Sequence, residues 1–243
     1  MDEGTDTNGW IFDTTPYHLQ GLSPVDDGSF LNSMGRNNHS FNIGKFYKAS
    51  FHRIPRLQEY DVVIWVDATI KITNASLSTW ALSEIEKGRN LLVFEHVRRA
   101  SLYLEFQVSM IPRYMATFYD GQAQPVQDLV GQFDHYIRNE HNPYIDDALY
   151  WQQVEPNRPN YGIWVTCFIG FNMRDQRTAL FLDTWYAEIL RWSNQDQISF
   201  SRVVQQLGMF PHSLPDENIP GTYHGSSMFT KESHFRDVVV DST

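Results

Sequence analysis

One cysteine, Cys167, stands in 243 residues, so no disulfide closes within the chain and cysteine usage says nothing about compartment. Positive charge is also scarce: 19 Lys and Arg face 29 Asp and Glu, for a net charge of −10 and a pI near 5.3. That balance excludes a nucleic-acid binder that neutralises phosphates over a broad basic face. No apolar run approaches the roughly 18 residues of a membrane span, and no signal peptide is visible. Glycine-rich phosphate loops, Gly-x-Ser-x-Gly turns and Cys/His zinc spacings are missing too. Their absence removes kinases of the common kind, nicotinamide dehydrogenases and serine hydrolases.

What is present suits one large globular domain. Hydrophobic residues make up 42% and charged residues 20%, and the length matches a single core. Aromatics are plentiful at 16 Phe, 12 Tyr and 7 Trp, as befits a packed core or a surface that meets sugar or nucleotide rings. Against the acidic background lies one local basic cluster, Lys45, Lys48, Arg53 and Arg56, with His52 inside it. An anionic ligand would have to be held there.

The hydrophobic pattern alternates between strand and helix. Asp61–Ile70 contains the continuous run Val62 to Val66, predicting a strand buried on both faces, and 90–96 and 162–173 predict two more. Helices are predicted over 77–87, from about Arg99 to Met115 with a break at Pro112, and over 126–138, 177–193 and 196–207, the last ended by Gly208. A short helix is expected in "KFYKASFHRI", ended by Pro55, after a long loop over 21–44. Such alternation predicts an α/β layered domain over 1–208 with a mostly parallel sheet flanked by helices. Residues 209–243 read as an irregular tail that could fold over the site.

Open α/β sheets place ligands at the carboxyl ends of their strands. Asp67, directly after "VVIWV", is therefore a candidate for holding a divalent metal or a sugar hydroxyl, with a turn or cap carboxylate as the plain alternative. The segment "HVRRASLYLE" offers His96, Arg98, Arg99, Tyr103 and Glu105. A helix from Arg98 would bring Arg98 and Glu105 within about 20° of one another and set Arg99 and Tyr103 on another face. In "RWSNQDQISF", Asp196 is placed to cap a helix, while Asn194, Gln195, Asp196 and Gln197 together form a set able to read hydroxyl groups. His212, His224 and His234 lie in the tail, and His224 is a candidate to complete a metal site begun by Asp67.

Taken in order, "KFYKASFHRIPRLQEYDVVIWVDATIKI", "HVRRASLYLE" and "RWSNQDQISF" resemble three blocks of the glycosyltransferase-like family long labelled domain of unknown function six-one-six, over roughly residues 45–205. His96, Arg99, Tyr103 and Glu105 match the second block, and Ser193, Asp196, Gln197, Ser199 and Phe200 the third. Ala68 stands where the family has Gly, and Gln195 where it has Arg. Asp67 also lacks the second aspartate of a D-x-D motif.

The resemblance implies a GT-A-like domain that transfers a sugar from a nucleotide-sugar donor to a glycan or glycoconjugate acceptor, assisted by Mn²⁺ or Mg²⁺. Members begin with a strand that leads into an acidic turn, so the start "MDEGTDTNGW" reads as following a missing first strand. On this reading Lys45 and Lys48, with Arg53 as an outside candidate, meet the donor diphosphate, and His52 stands among the donor- or substrate-binding residues. Asp67 holds the metal or else the ribose and sugar hydroxyls, and His224 is the further metal ligand. Asp196, Glu105 and His96 are the catalytic candidates, and Arg99, Tyr103 and Gln197 position the sugar. Two other readings stand beside it: a non-catalytic carbohydrate-binding module of the same fold, favoured by the missing aspartate, and a metal-dependent hydrolase. The compartment expected from the sequence is the cytoplasm, or the Golgi lumen where an N-terminal anchor has been removed.

Overall fold

A computed structural model describes residues 39–99, 101–114, 118–119, 122–123, 127–138 and 162–232. The expected missing first strand, most of the 21–44 loop and His234 fall outside these residues.

The first helix, α1 (His39–Ala49), leads through two short 3₁₀ turns, Phe51–Arg53 and Pro55–Leu57, into strand β1 (Val62–Val66). After β2 (Ile70–Ile72) come α2 (Leu77–Glu86), β3 (Leu91–Glu95) and α3 (Leu102–Tyr114). A two-stranded ribbon, β4 (Phe118–Tyr119) and β5 (Gln122–Ala123), precedes α4 (Leu129–Arg138). The long strand β6 (Trp164–Asn172) is followed by α5 (Gln176–Arg191) and α6 (Asp196–Leu207). The described chain closes with β7 (His212–Leu214), β8 (Gly221–Thr222), β9 (Gly225–Ser226) and β10 (Phe229–Lys231).

The main sheet has the order β1-β6-β3-β7. Strand β6 runs antiparallel to both β1 and β3, and only β3 and β7 pair in parallel. The sheet is therefore mixed rather than mostly parallel. All nine residues of β6 are buried, and a strand buried on both faces has no alternation from which its direction could be read. Conversely, every residue of β1 is only half-buried, because β1 lies at an edge of this sheet rather than in its middle.

Since β6 is the reversed strand, β1, β3 and β7 all point the same way. Their carboxyl ends share one edge of the sheet with the start of β6. That edge receives Asp67 after β1, His96 after β3 and Thr166 near the start of β6. Pairing of β3 with β6 jumps from Val93↔Ile169 to Phe94↔Val165, which leaves Thr166, Cys167 and Phe168 without partners on β3. A bulge of this kind re-aims side chains. Here Val165, Cys167 and Phe168 all pack on one face, while the Thr166 hydroxyl reaches Asp196 on the other.

Each face of the sheet has its own core. One gathers Phe46 of α1, Leu91, Val93, Trp164 and Ile169 of the sheet, Trp185 of α5 and Phe200 of α6. The opposite face holds Trp80 of α2, Phe94, Phe168 and Phe229. Residues 209–232 are not irregular: β7 joins the main sheet, and β8, β9 and β10 extend β2 into a second one of order β2-β10-β9-β8. Strands of two or three residues are too short to show a period. Phe229 pins this second sheet, stacking on Phe168 at 5.3 Å and meeting Phe94 edge-on at 5.4 Å.

Candidate functional site

The basic cluster of the sequence splits in two when folded. Lys45 and Lys48, three apart on α1, share one face of that helix and turn inward. Each ammonium lies 2.7 Å from Asp196 Oδ2, and Lys48 also reaches Asp67 Oδ1 at 3.1 Å. His52 and Arg53 follow the end of α1 and instead pair with Asp183 of α5, at 2.9 and 2.6 Å. His52 is thus not brought to the site, and its imidazole is lowered from the ordinary value by burial, against the pull of Asp183.

Asp196 opens α6 and lies at the centre of the first group. Besides the two lysines, Thr166 Oγ1 donates to its Oδ1 at 2.8 Å, and Trp185 Nε1 donates to its backbone carbonyl at 3.0 Å. Burial alone would raise this carboxyl, yet Lys45 and Lys48 outweigh it and hold Asp196 well below the usual carboxylate range. Lys48 is pulled down by its burial but raised on balance by Asp196 and Asp67. Lys45, with less carboxylate around it and Lys48 beside it, is lowered by burial. Two ammoniums and two carboxylates make the group formally neutral.

Asp67 is the open member. Its side chain is 40% exposed, and its Oδ1 accepts from both Lys48 and Trp65 Nε1, the latter at 2.7 Å. Among the described residues Oδ2 accepts no hydrogen bond. One such oxygen fits a hard divalent cation that takes its other ligands from phosphates and water.

A second group adjoins the first through the next residue of α6. Gln197 Nε2 donates to Glu105 Oε1 at 2.8 Å, Ser109 Oγ adds a hydrogen bond to the same oxygen at 3.2 Å, and Arg99 pairs with Oε2. The helix begins at Leu102 rather than near Arg99. Arg99 therefore sits in the turn after β3 and folds back onto Glu105, instead of sharing a face with Tyr103. His96 Nδ1 lies 3.2 Å from the Arg98 amide, and its Nε2 lies 3.3 Å from Arg99 Nη1 and 4.0 Å from Glu105 Oε2. Burial lowers His96, Glu105 works against that, and Arg99 adds to it.

Besides His52, two candidates stay outside both groups. Tyr103 accepts from Gln107 Nε2 at 2.6 Å and packs on Phe133. His224 is exposed in the β8–β9 turn with its ring 4.1 Å from Tyr223. Among the described residues no cluster of three metal-ligating groups contains Asp67 or His224. The one such cluster is Glu84, His212 and Asp216, whose ligand atoms lie within 4.8 Å of one another. It sits at the other end of the sheet, since His212 is level with Leu92 at the start of β3. Arg89 and Lys87 already neutralise Glu84 there, so a cation would meet two resident positive charges.

Sequence reading passed over Thr166, Trp65 and Ser109. Thr166 is the one hydroxyl in the apolar run "WVTCFIG", a signal that a strand buried on both faces carries a polar task. Trp65 and Ser109 gave none, because an indole in a strand and a serine in a helix are ordinary residues until their partners are known.

No family model matches the sequence, and no curated protein is similar to it at a significant level. Among solved structures, the apo form of mouse xyloside xylosyltransferase 1 is similar at a TM-score of 0.40 and 14% identity, over 74% of this chain and 53% of that one. The chain thus spans about half the length of that protein. No described helix is long and apolar enough to cross a membrane.

Proposed function

We propose that the chain is a nucleotide-sugar-dependent glycosyltransferase acting on a glycan or glycoconjugate. One observation carries the reading. Residues from the three resembling blocks, Lys45, Lys48 and Asp67 from the first, His96, Arg99 and Glu105 from the second, and Asp196 and Gln197 from the third, form two joined polar groups at the strand-end edge of the sheet. That is where an open α/β sheet presents a ligand.

In the transfer, an acceptor hydroxyl forms a bond to the anomeric carbon while the bond from that carbon to the donor phosphate breaks. The nucleoside diphosphate leaves with the electron pair, and the hydroxyl proton passes to a base. Asp67 would hold Mn²⁺ or Mg²⁺ through its free oxygen, and that ion would neutralise charge on the leaving diphosphate. Lys45, the more exposed lysine, would meet the same charge from the protein side. Asp196, kept ionised by its lysines, suits a place facing the electron-poor anomeric carbon rather than proton uptake, which calls for a pKa nearer the working pH. Glu105, Arg99, Gln197 and neutral His96 would form the wall that orients the sugar.

A second reading, a carbohydrate-binding module without turnover, draws on the balanced charge of the first group, in which neither lysine is free of a carboxylate. Calorimetric titration of UDP, GDP, CDP and dTDP with and without Mn²⁺, on wild type and Asp67→Asn, separates the two. Transfer predicts base-selective binding that strengthens with Mn²⁺ and weakens in the variant. A folded protein that binds none of the four supports the module.

A further inference from the structure

The charges within the candidate site balance one another, and two that lie beside it do not. Lys45 and Lys48 share Asp196 and Asp67, and Arg99 pairs with Glu105. Arg98 and Lys231, by contrast, have no carboxylate within ion-pair distance among the described residues. The acid next to Lys231, Glu232, pairs with Lys71 at 4.0 Å.

Backbone contacts put both cations at the strand-end edge. Lys231 is level with Ile70 across β10 and β2, and the Ile70 amide donates to the Asp67 carbonyl at 2.8 Å. Lys231 thus stands beside the turn that follows β1. Arg98 lies in the turn that follows β3, with its amide 3.2 Å from His96 Nδ1. Tyr223, in the β8–β9 turn, links the two places: its ring is 5.3 Å from Lys231 Nζ, 6.0 Å from the His96 ring and 4.1 Å from the His224 ring. The Lys231 amide also donates to the His224 carbonyl at 3.1 Å.

The electrostatics agree with this placement. His224 is lowered first by burial, then by Lys231 and by Arg98, with no carboxylate acting the other way. Burial and Asp67 push the Cys167 thiol up to about 12 while Lys231 draws it down, so Lys231 and Asp67 act on the same part of the edge. In a chain of net charge −10, this is a local excess of positive charge beside a neutral site. A neutral sugar or a metal cation would leave that excess unmatched. Phosphate groups match it, since arginine offers a flat fork of donors to pairs of phosphate oxygens and lysine a compact charge.

We propose that Arg98 and Lys231 form a diphosphate-binding lip on the candidate site, with the Tyr223 ring beside them, and supply the positive charge that Lys45 and Lys48 spend on their own carboxylates. The inference rests on the transferase reading only for what the diphosphate carries at its two ends.

The test is calorimetric titration of inorganic pyrophosphate into the full chain, with EDTA present so that no cation bridges. Wild type is expected to bind saturably, and Arg98→Gln and Lys231→Gln each to bind roughly tenfold more weakly. Arg174→Gln, which removes an exposed cation paired with Asp61 at the opposite end of β1, is expected to keep wild-type affinity. Thermal unfolding checks that each variant is folded; should a glutamine variant fold poorly, Arg98→Met or Lys231→Met, which keeps the apolar stem without the charge, is read in its place. No saturable binding to wild type, wild-type affinity in either lip variant, or an equal loss in Arg174→Gln overturns the proposal. Nucleotide titrations separate its failure from that of the transferase reading. Base-selective binding of a nucleoside diphosphate that neither lip variant weakens would overturn the lip and leave the transferase standing. Pyrophosphate held through Arg98 and Lys231, with none of the nucleotides preferred, would support the lip and count against the transferase.

Discussion

Replacing Asp196 with Asn isolates the charge balance that holds the site together. The carboxylate is 8% exposed and neutralises Lys48, at 3% exposure, and Lys45, at 20%. With an amide in its place, Lys48 keeps Asp67 at 3.1 Å, while Lys45 loses its carboxylate. Removing one member of a buried ion pair costs roughly 3–5 kcal/mol, because the remaining charge is left uncompensated. For a chain of this size that is a fall in thermal midpoint of roughly 6–20 °C. The pH dependence gives a second reading of the same contact. A carboxyl whose folded value lies below its unfolded value of about 3.9 contributes stability above that pH and loses it as the pH falls toward the folded value. Wild type is therefore expected to lose stability on acidification below about pH 4, and Asp196→Asn to show a smaller loss over the same range. The assay is thermal unfolding by circular dichroism from pH 2 to 8. A variant within about 1 °C of wild type at pH 7, with the same acid profile, would refute the account of Asp196 as the anchor of both lysines.

Further outcomes follow from other contacts. Asp67→Asn, at a side chain 40% exposed, should change the thermal midpoint by only a degree or two while weakening nucleotide and Mn²⁺ binding in calorimetry. Phe229→Ala removes the ring between Phe94 and Phe168 and is expected to destabilise the protein by about 3–5 kcal/mol, measured by urea unfolding; a loss under about 1 kcal/mol would mean that the second sheet is not pinned there. The His96 imidazole should titrate below its ordinary value of about 6.5 in NMR, because burial disfavours its charged form. By linkage it then stabilises the fold above pH 6.5, and that contribution falls as acid protonates the unfolded chain first.

Much of the local structure is legible because it rests on local chemistry. The run Val62–Val66 makes a strand wherever it is placed, the spacing of Phe181, Leu182, Trp185 and Ile189 makes a helix that buries those residues, and Gly208, at φ 59°, ends α6 where a left-handed residue is needed. The polar residues of the three blocks stood out in the sequence as well, since Asp67 and His96 follow apolar runs and Lys45 and Lys48 form a basic cluster in an acidic chain. Strand direction was not: β6 is apolar throughout and pairs in either sense with equal burial, so only packing among the strands decided that it runs against β1 and β3. The tail is similar, because strands of two and three residues exist only by virtue of their partners.

The division at the site has the same cause. That Lys45 and Lys48 share a helix face follows from a spacing of three. Their meeting with Asp196, more than 140 residues later, depends on α1 and α6 packing on one face of the sheet and on the bulge that turns Thr166 toward them. His52, seven residues from Lys45, is carried instead to Asp183 by the 3₁₀ turn after α1. The sequence by itself determined which side chains carry charge and which segments form helices and strands, because those properties arise within a few residues. Only the tertiary structure decided which charges neutralise one another, because that depends on distances between segments far apart in the chain.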